Sequence, residues 1–241
     1  MPDQFIVFDV WGDYAHFKKH YTTSSPLTFT IPPRTTVTGL VSAVIGLGKD
    51  EYLHHMTKDK AHVAVRLLNT VRKTRLGMNL INTKDGYWTP VKKGFHEPRR
   101  PIRFELLKDP RFRIYFSHQD LQLHEALMEN LKAHKSVYTP CLGTSELIAN
   151  FSYIGQFRAS AKGEANQFIP VVTTLPMDVA LDINLMEPGY KFFKERMPTE
   201  MQAGRDVTEY REVLYEIQGK PIHARLKESF LLENDEYIVT L

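Results

Sequence analysis

The chain has a single cysteine, Cys141, in 241 residues, so no disulfide can form within it. That usage fits a reducing compartment. No apolar run reaches the roughly 20 residues a membrane-spanning helix needs. The N-terminus lacks a basic start followed by an apolar stretch, so a cytoplasmic protein with no membrane partner is expected. No Walker A pattern and no Rossmann glycine fingerprint is present. Cys and His are not clustered at the short spacings of a structural zinc site. His54 and His55 are adjacent, and His118 and His124 are six apart. No cofactor and no metal are expected. No low-complexity run suggests disorder.

What is present is a core-forming composition, 42% hydrophobic, with an uneven charge. Between Arg66 and Arg113 stand thirteen Lys or Arg against four acids, a surplus of +9. The rest of the chain must then carry −6 of the net +3. Such polarity is the footprint of a nucleic-acid binder, although a charge run is also compatible with a merely solvated insertion.

Residues 4–10, QFIVFDV, read as a buried strand. FTIPPRTT then leads into VTGLVSAVIGLG. Val37, Leu40, Val41, Val44 and Ile45 make one apolar helical stripe, capped by Thr35 or Thr36 and stopped by Gly46 and Gly48. A short helix is expected at 50–55 and a strand at 62–69. Lys84-Asp85-Gly86 suggests a hairpin turn between arms at 76–83 and 87–91. Pro98 and Pro101 delimit a basic turn, Arg99-Arg100. Strands at 102–107 and 111–116, a helix from about 120 to His134 and a strand at 151–157 follow. That order is ferredoxin-like α+β. From residue 168 on, short strands are expected, with 187–206 irregular and charged. The division is 1–165, including the hairpin at 71–103, and a small β-rich 166–241.

The run FDVWGDYAHFKKHYTTSSPLTFTIPPRTTVTGLVSAVIGL resembles the Cas-five family of CRISPR-associated proteins, which are RAMP-type subunits of Cascade. TPCLGTSELIANF and RDVTEYREVLYEIQGKPIHARLKESF are similar to its type I-B branch. The strongly glycine-rich loop of many RAMP proteins is absent. The resemblance implies an RRM-like palm, with the basic hairpin as a projecting thumb. It implies binding of CRISPR RNA (crRNA) at the 5′ handle, beside Cas-seven backbone subunits and the Cascade large subunit. Target DNA would be met only through the complex.

A helix N-terminus suits phosphate, so Arg34, Thr35, Thr36 and Thr38 are candidate backbone contacts. Lys18, Lys19 and His20 sit among aromatics, a mixture that suits single-stranded RNA. In the hairpin, Arg72, Lys73, Arg75, Lys92, Lys93, Arg99 and Arg100 are candidates for an RNA path. Tyr87 and Trp88 would stack on a base or pack on a neighbouring subunit. One branch of the family cuts its own RNA without metal, so a metal-independent endoribonuclease is the alternative. Its candidate groups are Tyr21, His20, His118 and Lys135, although no spacing singles out a triad. A scaffold held mainly through its neighbours is the third reading.

Overall fold

The computed structural model describes residues 3–22, 25–49, 51–86, 88–90, 92–95 and 97–241. Strand β1, Gln4–Trp11, lies inside the main sheet. Its even positions Ile6, Phe8 and Val10 face one core and its odd positions Phe5 and Val7 face another. Burial on both faces is why the segment is apolar without alternation. Three short strands follow: β2 (Tyr14–Ala15), β3 (Phe17–Lys18) and β4 (Thr28–Phe29).

Helix α1, Arg34–Ile45, starts directly after Pro33, and no side chain caps it. The amides of Thr36 and Val37 donate to the Pro33 carbonyl. Thr35 and Thr36 are therefore first-turn residues and not the cap, since the proline pair turns the chain into the helix one residue earlier. Gly46 ends the helix at φ +87 with its amide on the Ser42 carbonyl, as a left-handed stop should. Helix α2 is one turn, Tyr52–His55.

Strand β5 is Ala61–Leu67, and β6 (Lys73–Ile81) pairs with β7 (Arg99–Lys108) as a long antiparallel hairpin. The return arm is thus not 87–91. Lys84–Gly86 is a 3-10 turn within the connecting loop, and Arg99-Arg100 begin β7. The register sets Leu76 opposite Phe104 and Met78 opposite Ile102, with Arg75 opposite Glu105 on the other face. Apolar and opposite-charge cross-strand pairs favour that register. Among the described residues only β2 joins this ribbon, through Tyr14 on Lys108 and Ala15 on Leu107 near its foot.

Strand β8 (Arg111–His118), helix α3 (Leu121–Lys132) and strand β9 (Asn150–Lys162) complete a strand–helix–strand–strand–helix–strand run. Asp120 caps α3 through the amides of Gln122 and Leu123. In space the order is β9-β1-β8-β5, with every neighbour antiparallel. The helices share one face, where Val37, Val41 and Val44 join Leu127 and Leu131 over Ile6, Phe8 and Val10.

The remaining strands are β10 (Ile169–Val171), β11 (Leu175–Pro176), β12 (Ala180–Ile183), β13 (Phe192–Met201), β14 (Val207–Glu216), β15 (Ile222–Leu226), β16 (Ser229–Leu232) and β17 (Tyr237–Ile238). β16 pairs with the outer edge of β9, and the sheet runs on through β17, β10, β15 and β12 to nine strands. Sheet continuity therefore crosses the division expected near residue 165. The span 187–206, expected to be irregular, holds β13, which forms a second long hairpin with β14. No helix among the described residues is long and apolar enough to cross a membrane.

Candidate nucleic-acid interface

Two segments expected to contact RNA meet at one groove of about 750 Å³. The first turn of α1 contributes Thr35 and Thr36, and β3 with the turn after it contributes Lys18 and His20. The opposite rim carries Lys49 and Arg205, two cations the sequence reading missed. The floor is apolar, with Phe17, Phe29, Leu40 and Met201. Among the described residues no Asp or Glu lines it. The one local signal for Arg205 is the turn-forming Gly204 before it; the arms that make Gln202-Ala203-Gly204-Arg205 a hairpin tip do not alternate clearly. Lys49 likewise follows a glycine, Gly48, at the end of the helix.

Arg34 is a correction. It is 1% exposed and its guanidinium is consumed inside the protein. It donates to the carbonyls of Met56 and Ala61, both at 2.8 Å, and of Thr199 at 3.0 Å, with Glu200 at 3.6 Å. Burial pulls its pKa below the ordinary guanidinium value, and the attraction of Glu200 opposes that. Thr38 is buried as well, and its hydroxyl donates to the Thr35 carbonyl. Neither residue reaches the groove, because both point from α1 into the protein.

Lys19 turns away from the groove that Lys18 lines and pairs with Glu195 at 2.6 Å. Burial disfavours its charge, but the hydrogen bond and attraction of Glu195 outweigh that and raise its pKa. His20 is exposed, with its ring 5.0 Å from Tyr210 and 5.2 Å from Tyr21.

The basic hairpin is less free than its sequence suggests. Arg72 meets Asp109 at 2.6 Å, and Lys73 and Arg75 share Glu105 at 3.3 and 3.9 Å. Lys92 meets Glu97 at 3.5 Å. Lys93 is exposed in the connecting loop. Arg99 and Arg100, with Arg103, are exposed and have no ion pair among the described residues. Trp88 is 78% exposed in that loop, and Tyr87 lies outside the described residues.

The candidate catalytic groups are dispersed. His118 is buried, its Nε2 donates to the His55 carbonyl at 2.8 Å, and its Nδ1 accepts from the Asp120 amide at 3.0 Å. Both ring nitrogens are thus engaged. His118 lines a separate cavity of about 430 Å³ with His62 and His124. Lys135 follows α3, its amide on the Asn130 carbonyl. Among the described residues no cluster of three or more His, Cys, Asp or Glu is arranged to hold a metal.

A mixed, sheet-rich α+β protein with a cation-rimmed groove is the class that these features define. Residues 5–186 match the family described as CRISPR-associated protein (Cas_Cas5), and the chain belongs to that family. It is similar in fold to a CRISPR protein from Archaeoglobus fulgidus, at 16% identity and TM-score 0.55, covering 97% of each chain. A second solved structure, described as a Cas protein, is 12% identical with TM-score 0.50, covering 89% of this chain and 95% of its own. Among curated proteins none matches.

Proposed function

We propose that this chain is the crRNA-binding subunit of a type I-B Cascade, holding the 5′ handle and capping a backbone of Cas-seven subunits. The groove, cation-rimmed and without an acid among its described lining residues, carries the reading. Lys18, Lys49 and Arg205 have no ion pair among the described residues, so their charge is available to phosphates. Phosphate contacts of this kind position a strand without reading its bases. The apolar floor suits an unstacked base.

Family membership supports the CRISPR setting. The spatial order β9-β1-β8-β5 supports reading the first half as a ferredoxin-like, RRM-like palm. The ribbon β6–β7, with Arg99, Arg100 and Arg103 without an ion pair among the described residues, is the thumb in this reading. The large subunit is a further partner, and target DNA is reached through the complex.

Cutting is not part of the proposal. A general acid or base needs a free nitrogen near the reacting hydroxyl, and both nitrogens of His118 are bonded within the protein. The test is a gel shift of labelled repeat RNA in EDTA at low and high salt. Intact RNA that shifts at low salt and is released at high salt supports binding. A discrete product would overturn it in favour of a nuclease. Neither shift nor product would favour the scaffold.

A further inference from the structure

A second groove, of about 590 Å³, lies between the foot of the first hairpin and β13. Four cations line it, Lys19, Lys73, Lys194 and Arg196, against one acid, Glu195. Two aromatic rings open onto it, Tyr21 at 63% and Phe193 at 50% exposure. The Phe193 ring is not loose. It stacks on Tyr215, with centroids 6.2 Å apart and planes at 17°, and Tyr215 is itself buried. Phe193 is therefore packed on Tyr215 while half of its surface stays exposed at the groove. A supported, half-exposed ring beside a cation suits base stacking.

The two grooves adjoin. Phe29 lines both. Along the segment 18–21 between them, Lys18 and His20 line the first groove, and Lys19 and Tyr21 the second. Tyr210 links them as well. The His20 ring is 5.0 Å from its ring, and the Arg196 guanidinium lies 5.2 Å from the same ring.

We propose that the second groove is a base-stacking subsite for single-stranded RNA, continuous with the first, with Phe193 as the plate. Arg196 faces the strand's phosphates there, and the β13–β14 hairpin is an RNA-contacting wall from its tip at Arg205 to Phe193. The inference rests on the reading of the first groove as an RNA site and extends it. Charge favours RNA as the occupant over a protein segment: Lys19, Lys73 and Lys194 are paired with Glu195, Glu105 and Glu212, but Arg196 has no ion pair among the described residues, and the lining continues a groove with no acid among its described lining residues.

The test is fluorescence anisotropy of the purified protein with fluorescein-labelled oligo(A) of about eight nucleotides, within the range a single-strand-binding fold covers. Phe193→Ala should weaken binding about tenfold, as loss of one stacked base does. Phe193→Tyr should keep wild-type affinity, which a merely structural role for Phe193 would not require. In the same strand, 2-aminopurine should be quenched by the wild type and released by Phe193→Ala. The double variant Lys49→Ala/Arg205→Ala tests the first groove separately.

If only the double variant weakens binding, the second subsite is refuted and the first reading stands. If only Phe193→Ala weakens it, the reading of the first groove falls and the stacking site stands. If wild type binds and neither change matters, or if wild type does not bind, both are overturned. Equal loss in Phe193→Ala and Phe193→Tyr refutes stacking, as does an unchanged RNA affinity with lost co-purification of a protein partner.

Discussion

The Nη1 of Arg34 donates to the carbonyl of Thr199 at 3.0 Å, tying the first turn of α1 to β13. The same guanidinium holds Met56 and Ala61 at either end of the connection from α2 to β5. Arg34 is thus an internal clasp beneath the groove. Arg34→Ala should lower unfolding stability by roughly 3 kcal/mol, since three buried carbonyls lose a charged donor. Arg34→Lys should recover only part, because an ammonium lacks the planar fork. Chemical denaturation measures both.

Lys18→Ala, Lys49→Ala and Arg205→Ala should leave stability within about 0.5 kcal/mol, as exposed substitutions do. Each should weaken RNA binding and lower the log–log salt slope by about 0.7, the share of one phosphate contact on a single strand. Arg72→Ala and Lys92→Ala should change the slope less, because those cations already face Asp109 and Glu97. Titrations at several salt concentrations separate the two groups.

Gly143→Ala should be severe. Its φ is +107, and a Cβ there would lie 1.9 Å from the His16 carbonyl oxygen. The loop must then move off the segment that carries Lys18 and His20. We expect a loss of about 2 kcal/mol or more, together with weaker RNA binding. A thermal melt and a gel shift on one preparation would show both effects or refute the link.

Mild acid should destabilise the protein. Burial lowers the pKa of His16, His62 and His124, with Lys18 adding to the effect at His16, Arg34 at His62 and His118 at His124. The folded state therefore resists protonation that the unfolded chain accepts near pH 6.5. Stability from these groups is fully present above that value and is lost as pH falls through it toward the folded pKa values. Melting temperature should drop between pH 7 and 5, and His124→Gln should flatten the drop.

How much of this was legible depends on how local the cause is. The strand at Gln4–Trp11 and the helices Arg34–Ile45 and Leu121–Lys132 follow from apolar periodicity within a few residues. The hairpin at Phe192–Glu216 does not. Pro198 and the charges of FFKERMPTEM blur the alternation, and Phe192 pairs with Glu216 far along the chain. Arg34 misled for a similar reason. Beside two prolines and a helix start it looks like a phosphate ligand, and only the carbonyls of residues 56, 61 and 199 reveal its burial. Lys18 and His20 are exposed and line the groove, because an aromatic and basic mixture keeps its cations at the surface.

The ribbon β6–β7 has one more consequence. From Lys73 to Ile81 it spans about 27 Å at ~3.4 Å per residue, and a third strand supports it only at the foot. A two-stranded ribbon alone in water is marginal. Its amides should therefore exchange with deuterium in a gradient, slow at Leu107 and fast toward Ile81, in the free protein. Docking against RNA or a neighbouring subunit would flatten that gradient, so the ribbon itself reports when assembly has occurred.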